Sequence, residues 1–268
     1  MQKRHRDRRL YFQELASTSR EFYIDYLKKF TNLTSETKIL EIGCGEGGNL
    51  VPFAEMGCTV LGIDISAIQI ENAKVFFQEN NLNGNFVFSD FLAVNPPENE
   101  DEKYDIVLIH DVIEHIEPPY KPEFFAHMIR FMRPDAIAFF GFPAWQMPFG
   151  GHQQIGSSKV LSKIPFIHLL PEKSYRKLLE KAGENESTVN ELLSIKRSKM
   201  PVELFEKTAK AANLEIVKRT LWIINPHYKS KFHLIPLRAI WPFSGIPYLR
   251  NFYCTSAWYI LRIAGPTE

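Results

Sequence analysis

Cysteine is scarce in this 268-residue chain, and its three copies are scattered: Cys44 lies in a glycine-rich stretch, Cys58 fourteen positions on, and Cys254 near the end. That pattern excludes a disulfide framework and a spaced metal cluster, and it suits a reducing cytoplasm, where we place the protein. Excess charge is also missing. Lys and Arg total 32 against 31 Asp and Glu, a formal net charge of +1, so no global field gathers nucleic acid or lipid. Long apolar runs are absent as well, and no segment approaches the roughly 18 residues of a membrane span. The basic stretch Lys3, Arg4, Arg6, Arg8 and Arg9 lacks the apolar core of a secretory signal and reads as a solvated leader. The expected partner is therefore a small molecule or a glycan, with neither membrane nor nucleic acid. With 45% hydrophobic residues the chain can bury one large core, or one core carrying an insertion.

What is present is a short apolar strand running into glycine: Lys38-Ile39-Leu40-Glu41-Ile42-Gly43-Cys44-Gly45-Glu46-Gly47-Gly48. A turn without Cβ atoms lets backbone N–H groups close on a ligand at the open end of a parallel sheet. A helix over 49–56 should then aim its N-terminus at that ligand. Two cofactors satisfy this block. Gly43-x-Gly45-x-x-Gly48, with Asp64 near the expected spacing, also fits a dinucleotide fingerprint. Glu41, at the strand's end, argues for a cationic ligand instead.

Strand and helix patterns alternate after that block: strands at 39–42, 59–64, 85–89, 105–110 and 136–142, helices at 66–79 and 122–131. Such alternation marks a parallel, doubly wound α/β sheet. Ser66 is the expected N-cap of the 66–79 helix. Helical spacing over 11–30, with a polar break at 17–19, predicts one or two leading helices. Between 143 and 200 the alternation stops, and short helices at 174–181 and 187–196 suggest an insertion over the sheet's open edge. A helix at 201–212, a strand at 215–223 and a β-rich 251–262 complete the sheet with an antiparallel strand. The chain thus divides into a helical leader (1–36), a cofactor core (37–142), a lid (143–200) and a closing segment (201–268). The aromatic run Trp241, Phe243, Tyr248, Phe252, Tyr253, Trp258 and Tyr259 is expected to pack the final hairpin onto the core.

The glycine block, with Gly62-Ile63-Asp64-Ile65-Ser66, Ser89-Asp90-Phe91 and His110-Asp111-Val112-Ile113-Glu114-His115, resembles the class I S-adenosylmethionine-dependent methyltransferases. The likeness is to their small-molecule branch, which includes ubiquinone-pathway O-methyltransferases. It implies a Rossmann-like, mostly parallel seven-stranded sheet with one antiparallel strand, and S-adenosylmethionine as cofactor. It further implies that Gly43, Cys44, Gly45 and Gly47 shape the cofactor turn and that Glu41 lies beside the methionine part. Asp64 would then take both ribose hydroxyls, Ile65 would face adenine, Asp90 would bind its amine beside Phe91, and His110 would touch the methionine arm.

For methyl transfer to oxygen, His152 or His115 can serve as base, and no metal is expected. Tyr11 is a candidate to close over the cofactor, and the segment of Trp145, Gln153 and Gln154 to receive the acceptor, the two glutamine amides hydrogen-bonding a hydroxylated ligand. Asn95-Pro96-Pro97-Glu98 imitates an amino-methyltransferase motif but follows the third strand and lacks the aromatic. Two other functions fit the same block less well: a nicotinamide-dependent oxidoreductase, and a cofactor-binding regulatory subunit without activity.

Overall fold

The computed structural model describes residues 7–265, so Lys3, Arg4 and Arg6 of the basic stretch lie outside the described residues. Eight strands form one sheet: β1 (Lys38–Ile42), β2 (Thr59–Asp64), β3 (Asn85–Phe88), β4 (Tyr104–His110), β5 (Met132–Phe142), β6 (Leu214–Ile224), β7 (Leu237–Arg238) and β8 (Ser256–Ile263). They lie in the order β3-β2-β1-β4-β5-β8-β6-β7. The first five pair in parallel, and β8 enters antiparallel between β5 and β6. The strand beyond the expected seven is β7, two residues laid antiparallel on the edge of β6, so two strands rather than one run against the rest.

β1 and β4 occupy the middle of the sheet and are buried on both sides, which is why they read as continuous apolar runs. Alternate side chains divide between two cores. Leu40, Ile42, Val107, Ile109 and Phe140 face one core with Phe125 and Met128 of α5 (Lys121–Ile129) and Phe205 of α8 (Val202–Ala211). Ile39, Ile106, Leu108 and Phe139 face the other. That side is covered by α1 (Arg8–Thr18), α2 (Ile24–Leu27), α3 (Val51–Glu55) and α4 (Ala67–Glu79).

The polar break at 17–19 does not end the leading helix. The backbone widens into a π-turn at Ser19–Tyr23, where the buried Ser19 hydroxyl donates to the Asn49 carbonyl at 2.7 Å and so docks the leader onto the glycine turn. After the turn stand only a 3₁₀ turn (Gly48–Leu50) and the five residues of α3, a weaker dipole than the predicted helix would supply. The 143–200 segment contains α6 (Glu172–Lys181) and α7 (Glu186–Ser198), which enclose a small apolar cluster of their own with Leu161 and Ile167. A final helix, α9 (His227–Phe232), follows β6.

Candidate active site

At the carboxyl end of β1 the chain turns with positive φ at Gly43 (+72°), Gly45 (+54°) and Gly47 (+77°). Side chains disfavour that conformation, and space forbids them here too. A Cβ on Gly43 would stand 2.3 Å from Val112, and one on Gly47 2.7 Å from the Phe86 ring. The turn is fastened to β2, because the Ile63 carbonyl accepts from the N–H groups of Gly43 and Cys44 at 2.8 and 3.1 Å. Asp64 completes the fastening. Its carboxylate accepts from Gly45 N–H and from Ser66 N–H, both at 2.8 Å, which fixes its orientation between two strand tips. Ser66 does occupy the N-cap of α4, but its side chain makes no capping bond; its N–H serves Asp64 instead.

A cavity of about 850 Å³ opens above these tips, and it collects most of the residues named from sequence: Tyr11, Gly43, Cys44, Gly45, Asp64, Ile65, Asp90, Phe91, His110 and His115. Ile65 is largely exposed there and offers an apolar face. The Asp90 carboxylate accepts from Leu92 N–H at 3.0 Å, which leaves its second oxygen for a ligand. Phe91 is buried on Phe124 and Phe131 and presents only an edge. The lining is acidic, with Glu46, Asp64, Asp90, Asp111 and Glu117, while its one arginine among the described residues, Arg8, gives both guanidinium bonds to the buried Glu46 at 2.5 and 2.6 Å. Arg8 is thus a strut across the turn and no part of a solvated leader. Gly48 serves packing, since a Cβ there would lie 2.7 Å from the Phe12 carbonyl of α1.

Glu41 departs from expectation. It is 1% exposed and lies beneath the turn rather than on the cavity surface. Asn49, a lining residue missed in the sequence, donates to its Oε1 at 2.7 Å, and Oε2 has no hydrogen-bond donor among the described residues. Burial raises its carboxyl to about 8 despite that bond, with Asp64 adding to the rise.

The far wall comes from β4 and the turn after it. His110 packs its ring on Tyr23 and against Gly141, and its buried Nε2 has no partner among the described residues. Asp111 follows with φ +55°, its Oδ2 3.3 Å from His110 Nδ1. Its side chain is 48% exposed, and against what desolvation there is, His110, then His152 and His227, hold its carboxyl below the usual carboxylate range. Gly141→Ala should drive a methyl group to within 2.3 Å of the His110 ring, displacing it. We expect a stability loss of about 1–3 kcal/mol in urea unfolding, with weaker cofactor binding in a titration.

Beside them, Glu114, His115 and His152 bring one ligand atom each to within 4.8 Å of one another, a set able to hold a metal ion that the sequence reading did not anticipate. Both Glu114 oxygens are buried without a hydrogen-bond donor among the described residues, and burial holds its carboxyl well above the usual range. Burial likewise lowers His115, which keeps its ring neutral at neutral pH. His115 lines the cavity; His152, with ring centroids 4.9 Å away, lies behind it.

Trp145, Gln153 and Gln154 do not border the cavity. The Gln153 amide donates to the carbonyls of Pro148 and Ile164, and Trp145 packs edge-on against His168 at 4.7 Å. Gln154 is half-buried in the same turn. Among the described residues, no helix is long and apolar enough to cross a membrane.

Residues 39–135 match the methyltransferase-domain family. That match supports a class I S-adenosylmethionine-dependent methyltransferase domain at this core. Among relatives, a ubiquinone biosynthesis O-methyltransferase of Rickettsia typhi is 33% identical over 118 residues, 44% of this chain and 46% of that protein. One from Bartonella tribocorum is 40% identical over 90 residues, 34% of each. The chain therefore matches less than half the length of either relative. Among solved structures, an S-adenosylmethionine-dependent methyltransferase of Clostridium acetobutylicum superposes with TM-score 0.59 at 10% identity, over 93% of this chain and 92% of that one. Magnesium protoporphyrin IX methyltransferase of Synechocystis, with S-adenosylhomocysteine bound, gives 0.53 at 15% identity over 96% and 84%. At such identities these two likenesses concern the fold. The acidic cavity, the glycine cradle and the unpartnered His110 Nε2 of this domain fit a cation such as S-adenosylmethionine.

Proposed function

We propose that this protein transfers a methyl group from S-adenosylmethionine to an oxygen of a small-molecule or glycan acceptor. The observation that carries the reading is one acidic cavity with the glycine turn and Asp64 at its floor and the neutral imidazole of His115 on its wall. A dinucleotide fits this cavity less well, because its pyrophosphate would meet Glu46 and Asp64 with Arg8 already engaged. The cavity's volume also speaks against a blocked, purely regulatory subunit. The relatives' name, an O-methyltransferase, supports oxygen as the methylated atom.

In this reading the Asp64 oxygens accept from the ribose diol, Ile65 and Phe91 bracket adenine, and Asp90 takes its amine. His110 presents its ring toward the methionine part, Glu41 supports the turn from beneath through Asn49, and Tyr11 of α1 closes the mouth. The bound cofactor supplies an activated methyl group. The chain's task is to hold the acceptor oxygen in line with it and exclude water, which supplies most of the rate. His115, neutral and facing the cavity, takes the acceptor's proton, with His152 beside it. Three buried free cysteines suit a reducing cytoplasm.

The test is to offer metabolite and glycan pools with isotope-labelled S-adenosylmethionine and follow label into O-methyl groups; no labelled product from any pool contradicts the proposal. With the acceptor in hand, His115→Asn should cut turnover about a hundredfold and leave cofactor affinity unchanged. Unaltered turnover would remove His115 as base. The Glu114, His115 and His152 cluster favours a second reading, a divalent cation that orients the acceptor. Chelation that abolishes turnover, restored by added metal, would select it.

A further inference from the structure

Two stretches of the chain contain no aspartate or glutamate, 136–171 and 216–267, although acidic and basic residues balance overall. Both leave the carboxyl edge of the sheet, where β5 ends at Phe142 and the parallel β6 at Ile224, the edge that also carries the cavity. They meet where the rings of Phe166 and Phe252 lie 6.4 Å apart. Contrary to expectation, the aromatic run over 241–252 does not pack onto the core. Trp241 is 82% exposed, Ile235 85% and Ile240 72%, and Phe243 and Tyr248 are also exposed; only Trp258 and Tyr259 are buried. Lys159, Lys163 and Arg238 belong to the same two stretches.

We propose that this face docks onto the surface of an anionic lipid bilayer. Exposed apolar patches of this extent mark interaction sites. Trp and Tyr among aliphatic side chains, with Lys and Arg in stretches that have no acid of their own, match the chemistry of a headgroup interface; Glu203 and Glu206, which reach this run from α8, are paired with Arg250. The apolar groups project from loops, 3₁₀ turns and the two-residue β7, which suits a fluid surface better than a shaped protein groove. A second copy of the chain is disfavoured, since it would bring these lysines onto their equivalents with no acid in either stretch to meet them. Docking here would turn the cavity's edge of the sheet toward the bilayer.

The experiment is co-sedimentation of the full chain with phosphatidylcholine vesicles, with and without phosphatidylglycerol. Binding should require the anionic lipid and weaken with salt. The triple variant Ile235→Ser, Ile240→Ser, Trp241→Ser and the double variant Lys159→Glu, Lys163→Glu should each partition at least about tenfold less. Thermal unfolding and S-adenosylmethionine titration verify that the variants are folded, separating this result from the fate of the methyl-transfer reading. No sedimentation with anionic vesicles overturns the proposal, as does equal binding to both vesicle types. Self-association in the ultracentrifuge that the triple variant abolishes, without vesicle binding, assigns the face to a second copy and overturns it too.

Discussion

Asp64→Ala is expected to lower the affinity for S-adenosylmethionine a thousandfold or more. Two hydrogen bonds from a ribose diol to a carboxylate contribute about 1.5–3 kcal/mol each. The substitution also releases Gly45 N–H and Ser66 N–H, each bonded to Asp64 at 2.8 Å, so the tips of β1 and β2 lose their clasp. Asp64→Asn should do less harm. Its amide oxygen can still accept one of those bonds, but its NH₂ faces the other donor. Calorimetric titration of both variants gives the order wild type, Asn, Ala; an alanine variant within tenfold of wild type would take Asp64 out of the site.

Glu41→Gln should change the way stability depends on pH. The carboxyl titrates at about 8 in the folded chain against 4.5 in the absence of burial. Its folded value is raised, so it contributes fully below pH 4.5 and that contribution is lost as pH rises toward 8. Glutamine cannot ionise, and its carbonyl can still accept from Asn49. The variant should therefore gain on the wild type between pH 5 and pH 8.5 by on the order of 4 kcal/mol. Urea unfolding at the two pH values measures it. Parallel curves for the two proteins would mean that Glu41 is ionised at neutral pH. Bound cofactor should narrow the gap, since a nearby cation favours the carboxylate.

The parts of the site that lie next to one another in sequence were the legible ones. β1, β2 and β4 are largely apolar strands that run into Gly43 and end in Asp64 and His110, and those three residues meet at one cavity. Contacts across long separations were not legible. The Arg8–Glu46 pair spans 38 positions, and nothing in the basic leader marks which arginine reaches back to the turn. Glu41 was assigned to the ligand by its place at the strand's end, but strand alternation turns it toward the core that α1 to α4 cover. Gln153 has the pattern of a ligand-binding amide, but the fold gives its NH₂ to the Pro148 and Ile164 carbonyls. The aromatics of 241–252 have the composition of a core, and composition does not tell which element lies beneath them. β7 escaped because two residues on a sheet edge carry no period.

An acidic, glycine-cradled cavity should select a sulfonium nucleoside over a dinucleotide. The most direct measurement titrates the purified chain with S-adenosylmethionine and, separately, with oxidised and reduced nicotinamide dinucleotides, reading the heat of binding. Saturable heat with S-adenosylmethionine at one site per chain, and none with the dinucleotides, is the predicted result. Saturable binding of a dinucleotide with no heat from S-adenosylmethionine would contradict it.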